Sequence, residues 1–456
     1  MRDTRLPPGP RLPAALQSVG FWSRPTTSLE RLRSRYGSRF TTRLIGQPPF
    51  VVLSDPEDAK AVLTAPPDVL HPGEGARLLE PIVGRHSLIL LDEGPHLEQR
   101  RLLLPAFHGE RIARLTELME ALTARELDAW PLREPFELHP RLQALTLEII
   151  LRAVFGLDEG PRLDRLRKQL PELMEFADNP SSMIPFLQHE RVPRFRRFAA
   201  VRADVDRELY ELMEDERRAG RTDGDDILHT LLAATHTDGS PMSNEEIRDE
   251  LLTALVAGHE TTASSLAFAF AEIARAPHVA ERLADGEDAE YLEATINETL
   301  RRRPVLPNPE PRLVMQPFST GGWTYPPGVI LIVSAQLIHH DPSIYPEPYA
   351  FRPERFAHSK PGTYTWLPFG GGRRRCIGVA FALLEMRVVL RQALARFVIA
   401  PAAPGVGRDP IVRRRMITIT PGDGARVVLS DRQTNPSSET ALRSPRSSST
   451  VASILN

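Results

Sequence analysis

The stretch LLTALVAGHETTASSLAFAFAEIA, residues 251–274, constrains the fold more than any other part of the sequence. It is the interior of a longer helical pattern. Ser243 and Glu246 form a capping box at its start, and the apolar pattern runs on until Pro277 ends it. Roughly 32 residues at about 1.5 Å per residue span roughly 48 Å, enough to cross a large domain. A run this apolar invites a membrane reading, yet its centre holds His259, Glu260 and four further hydroxyl residues. A charge at that depth is costly in lipid. The stretch is therefore expected to be a buried helix in the middle of a large protein.

The chain has 456 residues, beyond the roughly 250–300 at which a single core stops growing. Two domains, or one large domain filled by a cofactor, are both open. The formal net charge of −2 gives no electrostatic case for nucleic acid. A single cysteine allows no disulfide framework and fits a reducing cytoplasm. The first 22 residues hold no apolar core of signal-peptide length and no membrane anchor, so a cytoplasmic chain is expected. Residues 431–456 are Ser-rich and weakly apolar, and are expected to form a disordered tail behind a folded region of 1–430.

Helical patterns recur between His96 and Trp130, broken by Pro105, and again at 141–155, 161–177, 191–219, 225–236 and 287–301. TTRLIGQPPFVVLSDP (41–56) reads as a hairpin around Gly46-Gln47-Pro48-Pro49. Residues 66–90 read as an irregular loop, and 323–342 as strand after a Pro-Pro-Gly turn. A strongly amphipathic helix follows Cys376. The expected architecture is mainly α, with minor sheet near 41–54, 312–335 and 412–429.

Cys376, the lone cysteine, lies in FGGGRRRCIG (369–378). It has no sulfur neighbours for a four-ligand zinc site. A buried structural cysteine, a nucleophile and a single axial ligand to a metal cofactor remain open. The following helix N-terminus and the arginines favour a thiolate, and Gly370, Gly371 and Gly372 would let a flat cofactor approach the backbone. A nucleophile needs a nearby base, and the segment holds no histidine. The Gly-Lys-Ser/Thr ending of a phosphate loop is also missing.

FGGGRRRCIG resembles the haem-binding signature of the cytochrome P-450 family, at Phe369, Gly372, Arg374, Cys376 and Gly378. AGHETT (257–262), ETLR (298–301), FRPERF (351–356) and HLEQR (96–100) are similar to four further family motifs, in the family's order. The resemblance covers about residues 30 to 430. It implies the P-450 fold, a single large helical domain with small antiparallel sheets enclosing haem b (iron protoporphyrin IX). Cys376 would be the proximal ligand and the metal-binding residue, a thiolate that pushes electron density to the iron. Phe369 would pack beside the sulfur, and His96, Arg100, Arg312 and Arg374 would hold the propionates. Many soluble bacterial members carry histidine where Arg374 stands; the arginine keeps the propionate contact and leaves the subfamily open. Taken singly, each of these cations is equally a solvated surface charge.

Glu260 and Thr261 would relay protons to dioxygen, Ala257 would face the haem, and Gly258 would thin the helix there. Read locally, Thr261 instead bonds back to a carbonyl one turn earlier, and Glu260 pairs with an arginine. Glu298 and Arg301 share a helix face and would form a structural network with Arg355. The resemblance puts substrate walls at Leu78, Leu79, Ile82, Val83, Met183, Ile184, Phe186, Val305, Leu306, Met416 and Ile417. These are mostly aliphatic and fit a fatty acid, terpenoid or polyketide, or are simply core.

The implied activity is a monooxygenase, in a monomer, that puts one atom of O2 into an apolar substrate. Electrons would come from a ferredoxin or flavodoxin with its reductase, since no flavin, nicotinamide or iron–sulfur motif is present. That partner would dock at Arg101, Arg111, Arg114, Arg373 and Arg375. A peroxide-using peroxygenase, which would not need the acid–hydroxyl pair, and a haem-binding sensor or electron carrier are the alternatives.

Overall fold

A computed structural model describes residues 6–432 except 25, 108, 109, 158, 178–186, 221–223, 225, 285, 287, 404–410 and 416; of residues 110–114 it describes the backbone alone. The predicted tail, from residue 433 on, lies outside the described residues, as do Met183, Ile184, Phe186 and Met416 and the side chains of Arg111 and Arg114.

The central helix runs from Asn244 to Ile273, with both hydrogen bonds of the Ser243–Glu246 capping box made. It ends just before a short helix, Pro277–Arg282, that begins at the predicted stop. Around it pack Leu138–Phe155, Ala289–Arg302 and Val379–Arg396, which bury Ile149, Ile296 and Val389 in one cluster with Ala263 and Phe270 of the central helix. A second cluster sits at the other end of the fold. Leu163, Leu166, Leu170 and Leu173 of helix Pro161–Ala177 recur at helical spacing and are buried with Val205, Leu209 and Met213 of helix Pro193–Arg218. Pro105 does break its helix: Glu93–Leu103 gives way there to a 3₁₀ turn, Leu104–Phe107.

The predicted hairpin forms from Arg39–Thr42 and Phe50–Leu53, with Thr42 opposite Phe50. Its inner strand continues into a five-stranded sheet with Ile330–Val333, Arg312–Val314 and Leu70–His71. One pairing is parallel, Phe50–Leu53 with Ile330–Val333. Both strands are wholly buried, the setting in which parallel pairs are found. The 323–342 segment is not one strand: Trp323–Tyr325 pairs with Phe318–Thr320, and Ser334 caps a helical turn, Ala335–His339. Residues 66–90 are more ordered than their composition suggests, with helical turns at Pro72–Gly75, Arg77–Leu79 and Glu80–Val83. Val412–Arg415 and Thr418–Pro421 form a hairpin against the central helix. Helix Ala14–Ser23 lies on the surface, pinned where Gln17 Oε1 accepts from Thr42 Oγ1 and Arg43 N, each at 3.0 Å. Among the described residues, no helix is long and apolar enough to cross a membrane.

Candidate active site

The central helix is buried along nearly its whole length, but Ala254, Ala257, Gly258 and Thr261 break that burial. Their spacing of three, four and seven residues puts them on one face. All four line a cavity of about 1510 Å³, and Cys376, Phe369, Gly370 and Gly378 line it too. The sequence-predicted thiolate and oxygen-side residues are thus brought to one chamber.

The cysteine loop is set by close packing. Gly370 and Gly372 have φ near +64° and +63°, a region that side chains disfavour. A Cβ at Gly372 would lie 2.0 Å from the Leu63 carbonyl oxygen, and one at Gly371 3.0 Å from Leu63 Cδ1. Two of the three glycines therefore serve the approach to helix Pro56–Leu63, and only Gly370 lines the cavity. Cys376 N donates to Phe369 O at 2.9 Å, and the ring of Phe369 meets Trp366 edge-on at 5.9 Å. The sulfur is open to the cavity yet enclosed by protein, so burial raises the thiol above its ordinary value; the Gly378 N–H, Arg100 and Arg375 pull the other way. Desolvation outweighs the helix end and the arginines from which a lowered value was expected. A metal cation at the sulfur displaces that proton outright.

His96, Arg100 and Arg374 line the same chamber, and Arg312 stands beside it in a small side pocket that His96 and Arg374 also line. Burial first, and then Arg374, Arg100 and Arg312, push His96 down to about 3, so its ring is neutral. His96 Nε2 and Arg312 Nε are buried without a hydrogen-bond partner. Arg100 donates to Arg375 O at 2.8 Å. Arg374, expected at a propionate, lines the chamber, and its guanidinium also donates to Leu88 O at 3.0 Å, to Asp92 Oδ1 at 2.7 Å and to Leu91 O. It holds the 88–92 segment while still lining the chamber. Glu310, which the sequence reading passed over, sits here at φ +39° with Arg312 Nη2 at 3.4 Å. A cysteine open to the chamber, an orphaned imidazole nitrogen, an orphaned guanidinium N–H and a cationic cluster fit an iron porphyrin with two carboxylates.

Both local readings of the acid–hydroxyl pair are realised. Thr261 Oγ1 donates to Ala257 O, one turn back. The Glu260 carboxylate accepts from Gln143 Nε2 at 2.6 Å, Ser264 Oγ at 3.0 Å and Arg415 Nη1 at 3.2 Å, and lies 3.4 Å from His139 Nε2. Burial works to raise its pKa, but the His139 hydrogen bond and the charges of Arg415, His139 and His259 overcome it and hold Glu260 at about 2. Both residues nonetheless line the chamber. Of this shell, His139 and Gln143 are four apart on one helix and Ser264 is four from Glu260, spacings visible in the sequence; nothing local marks Arg415. Gly258 has a second role, since a Cβ there would meet Ile150 Cδ1 at 2.9 Å, so it also lets helix Leu138–Phe155 come close.

Behind the cysteine loop, Arg301 is fully buried and grips Glu298 with two hydrogen bonds of 2.7 and 2.9 Å. Arg355 reaches Glu298 at 3.4 Å, and Arg352 N at 3.0 Å. His339, missed in the sequence, carries the network onward: Arg301 Nη1 donates to its carbonyl at 2.7 Å, and its Nε2 accepts from Leu367 N at 2.7 Å.

Leu78, Leu79, Val305, Leu306 and Ile417 line the cavity as expected. Ile82 and Val83 do not; they are core residues of the second cluster. Walls that sequence reading missed come from distant segments, among them Phe21, Trp22, Leu44 and Ile332.

A cytochrome P450 family model matches residues 6–424. A Mycobacterium bovis protein provisionally named cytochrome P450 135B1 is 36% identical over 438 residues, covering 92% of this chain and 91% of the relative. A Mycobacterium tuberculosis protein provisionally named cytochrome P450 138 is 37% identical over 430 residues, covering 93% and 96%. The solved structure of retinoic acid bound cyanobacterial CYP120A1 has the same fold, with a TM-score of 0.80 at 24% identity, covering 94% of this chain and all of that one.

Proposed function

The chain belongs to the cytochrome P450 family, the haem-thiolate monooxygenases, and from that premise we propose that Cys376 ligates the haem iron and that an apolar substrate is oxidised against the Ala257–Thr261 stripe. The observation that carries this reading is the single cavity shared by Cys376 and that stripe. Bound there, the haem supplies the iron centre at which dioxygen is activated. His96 Nε2 and Arg312 Nε, buried donors without partners, would take the propionates; Arg374 would act mainly by fixing the 88–92 segment.

The chain's own part in the oxygen chemistry is to hold and move protons. Thr261 Oγ, at the cavity surface, keeps its hydrogen on Ala257 O and releases it by turning toward dioxygen. Glu260, ionised at neutral pH, is the acceptor end of a shell of donors, and would pass protons from the Arg415–His139 side toward Thr261. The walls supplied by Leu79, Val305, Leu306 and Ile417 exclude water and fit a fatty acid, terpenoid or polyketide. The reduced carbon-monoxide spectrum of the parent and of Cys376→His decides the ligand assignment.

Electrons would come from an acidic ferredoxin or flavodoxin. Arg373 and Arg375 are exposed beside the cysteine loop, and Arg101 is exposed on helix Glu93–Leu103. Steering by such a patch raises on-rates about 10–10³-fold at low salt. The rate of first electron transfer is expected to fall steeply as ionic strength rises toward about 0.1 M, where screening acts over about 10 Å, and to fall further in Arg101→Glu. A flat salt profile, or a variant equal to the parent, places docking elsewhere.

A further inference from the structure

Most arginines lining the cavity have evident work. Arg415 pairs with Glu260, Arg374 with Asp92, Arg202 with Asp206, Arg77 with Glu74, and Arg248 with Asp249. Arg414 has none. It lies on strand Val412–Arg415, opposite Ile419 of the partner strand, while Arg415 lies opposite Thr418. Neighbours along a strand face opposite sides. Arg415 reaches the Glu260 shell, and Arg414 turns the other way, its guanidinium carbon 4.6 Å from the ring centre of Phe21 and 5.1 Å from that of Trp22. Its Nε and Nη2 are buried without a hydrogen-bond partner. Among the described residues no charge of either sign acts on it, and burial alone pulls its pKa to about 10.

A buried cation without a counter-charge is costly. The two aromatic rings offset part of that cost, but a guanidinium against ring faces keeps its in-plane N–H fork for another partner. Arg414, Phe21 and Trp22 line the same cavity as Cys376, and the wall beside them is apolar, with Leu44, Phe50 and Ile332.

We propose that this cavity takes an amphipathic acid, an apolar chain whose carboxylate is held by Arg414, so that oxidation falls on a carbon remote from the carboxylate. The proposal rests on the apolar-substrate reading above and narrows it. One isolated arginine matches a singly charged carboxylate in a bidentate pair; a dianionic phosphate would call for a second cation, and among the described residues none acts on Arg414.

The test is calorimetric titration of the haem-loaded full chain with dodecanoate, methyl dodecanoate and dodecanol, below their aggregation limits, for the parent, Arg414→Gln and Arg414→Lys. A charge-assisted pair in a buried site corresponds to about 10–100-fold in affinity. The parent is expected to bind the acid tighter than the ester by that factor. Arg414→Gln should erase the preference and leave ester affinity unchanged, which also certifies that the variant's cavity is intact; Arg414→Lys should keep part of it. Equal binding of acid and ester by the parent, or an acid preference that survives Arg414→Gln, overturns the proposal while the apolar reading stands. Failure of all three compounds to bind overturns the apolar reading and this inference with it.

Discussion

Glu298→Ala is expected to lower the free energy of unfolding of the haem-loaded protein by about 3–5 kcal/mol, the cost of stranding a buried charge. Arg301 is fully buried, and both of its bonds to Glu298 are short and directed at separate carboxylate oxygens. Remove the acid and the guanidinium keeps only backbone carbonyls, those of His339, Pro348 and Ala350. Whole domains are stable by only about 5–15 kcal/mol, so the loss is a large share. It should also reach the cysteine loop, because His339 links Arg301 to the Leu367 N–H, two residues before Phe369. Urea unfolding at saturating haem, followed by far-ultraviolet dichroism and by the Soret band, measures both effects. Arg301→Lys should fall nearly as far, since one ammonium cannot span both oxygens and the His339 carbonyl. A loss below about 1 kcal/mol, the range of exposed pairs, would show that the network is not what holds this region.

The second large effect concerns oxygen. Thr261→Ala should bind substrate as the parent does, because the threonine's hydroxyl is turned to Ala257 O and the change trims only that one side chain of a wide cavity wall. It should consume reductant without matching product, release more peroxide, and lose on the order of 10²–10⁴ in product formation, the usual worth of a positioned proton donor. Glu260→Gln should act in the same direction. The amide keeps the shape of the side chain but removes the charge on which Arg415 and His139 converge. Product and peroxide formed per reductant consumed are the quantities to measure. Coupling unchanged in both variants would leave these residues with the structural roles their hydrogen bonds already provide.

What the sequence made legible was local. The capping box, the apolar period and Pro277 marked out the central helix within a few residues of its ends, since each signal acts inside one element. The cysteine loop was likewise found from its own residues. The reasons behind them were not visible. Gly372 answers to Leu63, some 300 positions away in the chain, and Arg374 to a segment around Asp92. His139, Arg415, Glu310 and Arg414 enter the site only through tertiary packing, on elements whose own patterns say nothing of chemistry. The same limit explains Ile82 and Val83. Apolar residues in a loop fit a substrate wall or a core equally, and only the packing of Glu80–Val83 against the central helix decides for the core. At Cys376 the helix end and the arginines could be read off the chain, whereas the burial that opposes them could not.

The ligand itself is the account's central claim, and the reduced carbon-monoxide spectrum tests it most directly. The parent, reduced and exposed to carbon monoxide, should show the long-wavelength Soret band that thiolate ligation produces. Cys376→His should still take up haem, held by the propionate cluster and the cavity walls, but should lose that band and show the shorter-wavelength one of imidazole ligation. A long-wavelength band that persists in Cys376→His would remove Cys376 from the iron and contradict the account.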